Sequence, residues 1–195
     1  MENFSILKFD TPVSDKRMIK RYLRDGGNSE QIDSLITECI NLAKDVFDCR
    51  VCCAGFPVEI IGNTVDFSVL SVVSGDLARN LSCCDYAVIF GATVGIGIDR
   101  LIMKYSGISA LKALCLDAVG SDMIENVCDV FNEKINSDYK FTKPRFSPGY
   151  GDLPIEFQRD IFNILNLNKN LGVYLTEGMQ MTPSKSVTAI IGVKK

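Results

Sequence analysis

The sequence contains no histidine. That excludes Ser-His-Asp and Cys-His nucleophilic catalysis and every histidine-ligated metal site. Positive charge is not in excess either: 21 Lys and Arg against 24 Asp and Glu leave a net charge of −3. No electrostatic ground therefore exists for expecting a nucleic acid or an anionic membrane as partner. No uninterrupted apolar run of about 18 residues occurs, so nothing is expected to span a bilayer. The start, MENFSILKFD, lacks the basic and apolar regions of a secretory signal, and no repeat or low-complexity stretch follows. A soluble, cytoplasmic chain is the expectation.

What is present suffices for a core: 47% of the 195 residues are hydrophobic, and residues 1–195 read as one domain. The eight cysteines are Cys39, Cys49, Cys52, Cys53, Cys83, Cys84, Cys115 and Cys128. Without a secretory signal they are not expected to form a disulfide framework. Cys49-Arg50-Val51-Cys52-Cys53 has metal-ligand spacing, and Cys83-Cys84 could complete a site. Both groups flank apolar strand-like runs, however, where a thiol behaves as a small hydrophobe. The metal reading is the minor one.

Periodicity places a helix over 14–24 behind a Ser14 cap, ended by Gly26-Gly27. A second helix, capped by Asn28 or Ser29, runs to about Phe47. Shorter apolar runs fill 50–73, with Gly62-Asn63 as a hairpin turn. A short helix over 75–82 precedes a buried strand, Asp85 to Phe90. From Gly95 to about Ile135 the pattern is helical, broken near Ser106-Gly107, with Ser109 capping the longer piece. A loop covers Asn136 to Asp152, a helix runs from Pro154 to about Leu165, and strands follow at Gly172–Thr176 and at SVTAIIGV. The mixture predicts an α+β fold with a partly antiparallel sheet.

Two segments have the composition of binding loops. Gly91-Ala92-Thr93-Val94-Gly95-Ile96-Gly97 lies between a strand and a helix, where backbone N–H groups could cradle a phosphate. Its spacing is not G-x-G-x-x-G, which favours a close strand–helix packing turn. Arg145-Phe146-Ser147-Pro148-Gly149-Tyr150-Gly151-Asp152-Leu153-Pro154 is the stronger candidate. Pro and Gly fix a defined loop, Arg145 offers a planar fork for a carboxylate, and Tyr150 offers a ring face and a hydroxyl. A zwitterionic ligand with a ring system suits these parts; so does an ordered loop whose arginine pairs with a protein acid.

Arg145, Gly149 and Tyr150 match the Arg-x-x-x-Gly-Tyr motif of the activation domain of cobalamin-dependent methionine synthase. Leu175-Thr176-Glu177 through Met179, Pro183, Ser186 and Val187 is similar to a second block of that family, and Leu116 to Glu125 to a third. The resemblance covers most of residues 85–195. It implies a twisted, mainly antiparallel sheet flanked by helices and bent into a C shape. It also implies S-adenosylmethionine as ligand: Arg145 on the methionyl carboxylate, Gly149 allowing close backbone approach, and Ser147, Pro148 and Tyr150 lining the pocket. Glu125 would face the α-amino group or make a neighbouring polar contact, and Asp10 is the weak match to an N-terminal acid. Two features depart from the family. Its members continue past the final strand, and their motif is commonly followed by a histidine where this chain has Asp152 to Phe157. A more open pocket, or another ligand, would follow.

By the same resemblance the reaction is reductive methylation of oxidised cobalamin, with an electron from a flavodoxin- or ferredoxin-like donor. A chain without histidine cannot supply an axial imidazole, so the cobalamin belongs to a partner: a methionine synthase or another corrinoid protein, met in trans. The alternatives are an accessory subunit that no longer binds S-adenosylmethionine, and a cysteine-based redox or metal protein.

Overall fold

The computed structural model describes residues 4–24 and 30–194. In chain order the elements are β1 (Ser5–Lys8), α1 (Lys16–Tyr22), α2 (Glu30–Ala43), β2 (Arg50–Pro57), β3 (Glu59–Ile61), β4 (Thr64–Asp66), β5 (Ser71–Val73) and α3 (Gly75–Asn80). Then come β6 (Tyr86–Thr93), α4 (Gly97–Ser106), α5 (Ala110–Asp138), β7 (Phe141–Thr142), α6 (Phe157–Leu165), α7 (Leu167–Asn170), β8 (Tyr174–Leu175), β9 (Met181–Thr182) and β10 (Ser186–Lys194).

The main sheet has the order β1-β2-β6-β10-β7, and every pairing in it is antiparallel. Its inner strands β2, β6 and β10 are buried on both faces. Their sequences therefore read as continuous apolar runs rather than alternating ones, a pattern more familiar from parallel sheets. Alternate side chains feed two cores. Val51, Cys53, Phe90, Ala189 and Ile191 pack with α2, α4 and α5 on one face. Cys52, Ala54, Ile89 and Ile190 pack with α3, α6 and the β3-β4-β5 sheet on the other. Each fully buried aromatic or branched side chain contributes about 1.5–3 kcal/mol. The α+β class and the helix-flanked antiparallel sheet are as expected.

The Gly62-Asn63 hairpin forms between β3 and β4, with Gly62 at φ 61°, and Ser109 caps α5 by accepting from the Lys112 N–H. Several boundaries differ from those read off the sequence. Asp15, not Ser14, caps α1, because its carboxylate accepts from Arg17 N–H while its own N–H is held by Asp122. The turn at Gly26-Gly27 and the Asn28 or Ser29 cap lie outside the described residues. Helix α2 stops at Ala43 because the chain must turn so that Asp48 N–H can reach the Val94 carbonyl. Strand β6 runs on through Gly91 to Thr93, since β10 and β2 pair with it that far. Helix α5 extends to Asp138, and β7 forms inside the expected loop by pairing with the end of β10. Helix α6 begins at Phe157, after a turn in which Phe157 N–H donates to Pro154 O.

Candidate functional site

The loop 145–154 owes its shape to three backbone bonds. Tyr150 N–H donates to Ser147 O, Gly149 N–H to Leu153 O, and Leu153 N–H to Tyr150 O. Gly149 sits at φ 89°, a conformation that a side chain would strain, and an added Cβ would lie 3.1 Å from Ile155 Cδ1. Phe146 bridges Ile190 of β10, which fixes the loop against the end of the sheet. Pro148 is buried, while Tyr150 remains 59% exposed.

Arg145 projects from this loop between two acids one turn apart on α5. Its Nη1 lies 2.6 Å from Asp129 Oδ1, and Nη2 donates to Glu125 Oε2. Partial burial works against the guanidinium charge, but the hydrogen bond to Asp129 and the neighbouring negative groups outweigh it and hold the pKa above its ordinary value. The Tyr22 hydroxyl of α1 stands in the same field: burial first, then Glu125 and Asp122, push its pKa up.

Behind Arg145 lies a cavity of about 310 Å³ open to solvent. Glu125, Arg145, Ser147, Pro148 and Tyr150 line it, so five of the seven candidate residues meet at one place. Gly149 sits between two of them in the turn. Asp10 does not join them: it is exposed in the loop after β1 and is not part of the cavity wall. The wall is completed by Ile155 in the turn before α6, Gln158 of α6, Met179 and Met181 of the β8–β9 hairpin, and Ser186, Val187 and Thr188 of β10. Met179, Met181, Ser186 and Val187 belong to a block singled out in the sequence. Gln158, Thr188 and Asp129 were not anticipated. The available signal for Gln158 was an amide on the otherwise apolar face formed by Phe157, Ile161 and Leu165.

Three sequence blocks far apart in the chain thus converge. A further tie joins two of them directly: Lys185 Nζ lies 2.8 Å from Asp117 Oδ1 and donates to Ser121 Oγ at 2.9 Å.

The other two candidate sites dissolve into packing. At the glycine-rich turn, Gly95 is at φ 80° and its N–H already donates to Thr93 Oγ1. A Cβ on Gly97 would lie 2.2 Å from the Val46 carbonyl, and Asp48 flanks the turn with negative charge. Close approach of α4 to the chain after α2 explains the glycines. Cys52 and Cys53 enter opposite cores, so they cannot share a metal. Burial pushes the Cys49, Cys52 and Cys53 thiols up to about 11, 12 and 11, so in the folded protein they stay protonated at neutral pH. No cluster of three metal-ligating side chains exists among the described residues, and no helix among them is long and apolar enough to cross a membrane.

The family model described as "Vitamin B12 dependent methionine synthase, activation domain" matches residues 76–195. Among solved structures, the fold is similar to the MetH reactivation domain bound to AdoHcy, with a TM-score of 0.77 and 15% identity. That likeness covers 98% of this chain and 78% of the other. No curated protein sequence matches.

Proposed function

Since the chain belongs to the activation-domain family of vitamin B12-dependent methionine synthase, we propose that it binds S-adenosylmethionine in the Arg145 cavity and serves the reactivation of a cobalamin carried by a partner. The observation that carries this reading is the convergence of residues 116–125, 145–154 and 175–187 on one solvent-open cavity. The reading takes residues 1–195 as one activation-like domain, consistent with two cores that share a single sheet.

The residues fit such a ligand. Arg145 presents a charged fork at the cavity wall, and its two acid partners keep it charged and aimed. A ligand carboxylate would take over part of that fork, freeing Glu125 to accept from the ligand's ammonium. Ser147 and Pro148 bring backbone close to the ligand, Gly149 permits the turn, and Tyr150 covers the cavity with a ring that can also meet a partner. S-Adenosylmethionine supplies the methyl group when bound. The chain's own task is to orient it toward the partner's cobalt, and no proton transfer by a side chain is required. Asp10 would take part only if the N-terminal segment closed over the site. The electron would come from a flavodoxin- or ferredoxin-like donor, and the setting would be the cytoplasm.

Titration calorimetry with S-adenosylmethionine tests the reading. Saturable binding to the wild type, strongly weakened in Arg145→Ala, is the expected result. The exposed acids make the ion pairs worth only about 0–1 kcal/mol, so the variant should melt close to the wild type. One observation favours a second reading: Arg145 is already engaged by Glu125 and Asp129, as it would be in an accessory subunit that has lost the ligand. Absence of binding by well-folded wild-type protein would decide for that subunit.

A further inference from the structure

Helix α6 buries Phe157, Ile161, Phe162 and Leu165, and among them stands Gln158, 3% exposed. A buried amide costs free energy unless its donors and acceptor are paired. The Gln158 side chain makes one bond among the described residues: Nε2 donates to the Met179 carbonyl at 3.4 Å, near the limit of a hydrogen bond. Methionine or leucine would fill the same space without that cost. The amide also lines the Arg145 cavity, with Met179 and Met181 as its soft neighbours.

The cavity is two-sided. Glu125 belongs to α5, which packs on one face of the sheet, whereas Gln158 belongs to α6 on the other. A ligand bridging them must carry charge toward Arg145 and Glu125 and a neutral hydrogen-bonding group toward α6. A side-chain amide is complementary to an adenine edge, donating to a ring nitrogen while accepting from the exocyclic amine. The thioethers of Met179 and Met181 suit an aromatic ring. The weak bond from Nε2 to the Met179 carbonyl favours one orientation of the amide, in which its oxygen faces the exocyclic amine of adenine but would face the carbonyl oxygen of hypoxanthine, two acceptors with no proton between them.

We propose that Gln158 reads the adenine edge of an S-adenosyl ligand and sets the site's preference for adenine over other purines. This rests on the binding reading given above. The test compares S-adenosylhomocysteine with S-inosylhomocysteine by calorimetry on the full chain. Wild-type protein should prefer the adenine compound by about tenfold or more. Gln158→Ala, and Gln158→Met as a variant that keeps the packing volume, should bring the ratio near one. Arg145→Ala should weaken both compounds and leave the ratio standing. Equal affinity of the wild type for the two compounds, or an unchanged ratio in both Gln158 variants, overturns the assignment. Failure of the wild type to bind either compound overturns the binding reading itself, and is thereby distinguishable.

Discussion

Asp76 and Asp152 hold each other by the backbone: Asp76 N–H donates to Asp152 Oδ1 at 3.1 Å, and Asp152 N–H donates to Asp76 Oδ2 at 3.1 Å. Gly75 N–H adds a bond of 2.8 Å to Asp152 Oδ2, and the Ser74 hydroxyl donates to Oδ1. The loop that carries Arg145 and Tyr150 is thus pinned to the start of α3.

The pin has a pH signature. The Ser74 hydroxyl and then the Asp76 N–H favour the charged carboxylate, so the Asp152 pKa lies below its ordinary value. A depressed folded-state pKa stabilises the fold above the unfolded value of about 4 and ceases to do so as pH falls through the folded one. Asp152→Ala should lower the melting temperature at neutral pH, flatten the acid branch below about pH 4, and weaken S-adenosylmethionine binding. Thermal melts from pH 2 to 7, with calorimetry at pH 7.5, check all three.

Gly151→Ala attacks the same pin sterically. Gly151 has φ 53°, and an added Cβ would lie 2.1 Å from Asp76 Oδ2. The left-handed backbone alone costs about 1–2 kcal/mol, which for a chain of this size lowers the melting temperature by roughly 2–8 °C. An unchanged melting curve would show that the loop is not held as described.

Asp122 behaves in the opposite sense. It is 2% exposed on α5 and accepts from Asp15 N–H and Asn126 Nδ2, tying the start of α1 to α5. Burial, only partly offset by these bonds and reinforced by the Asp15 charge, raises its pKa to about 6. A raised folded-state pKa favours the fold below the unfolded value near 4, and the advantage is lost as pH rises through 6. Asp122→Asn keeps an acceptor and removes the charge. It should gain stability over the wild type between pH 4 and 8, on the order of 2 kcal/mol at the upper end, measured by urea unfolding at each pH.

The glycine-rich turn is a packing device, so Gly97 within it and Gly107 at the far end of α4 should respond differently. Gly97→Ala drives a Cβ to 2.2 Å from the Val46 carbonyl and should cost about 1–3 kcal/mol. Gly107, at the end of α4, has nothing within 4 Å of its added Cβ and an ordinary φ of −86°. Gly107→Ala should be neutral or gain up to about 1 kcal/mol. Urea denaturation of both variants provides the contrast.

Thiol labelling separates the cysteines. Cys83 is exposed and Cys84 partly so, whereas Cys39, Cys49, Cys52, Cys53, Cys115 and Cys128 are buried. Maleimide should modify Cys83 quickly and Cys84 slowly in native protein, and all eight thiols in urea. Rapid native labelling at Cys52 or Cys53 would contradict their burial in opposite cores.

The helices α3, α4 and α5, the β3–β4 hairpin and the terminal strand were legible because each follows from local rules: a cap such as Ser109, a Gly-Asn turn, or an unbroken apolar run. Boundaries failed where a distant partner intervened. Asp122 takes the Asp15 N–H from across the chain, and β10 recruits Phe141–Thr142 from what reads as loop. Arg145, Gly149 and Tyr150 stood out because a Pro-Gly loop with an arginine is a short-range pattern, and by itself the sequence determined that such a loop exists in an α+β chain without histidine. Only the tertiary structure decided what faces it. It placed Glu125 and Asp129 on the guanidinium, left Asp10 away from the cavity, and turned Gln158 into its wall. The physical reason is that a cavity is made by elements meeting around a sheet, and their meeting depends on strand order and helix packing that no local pattern records.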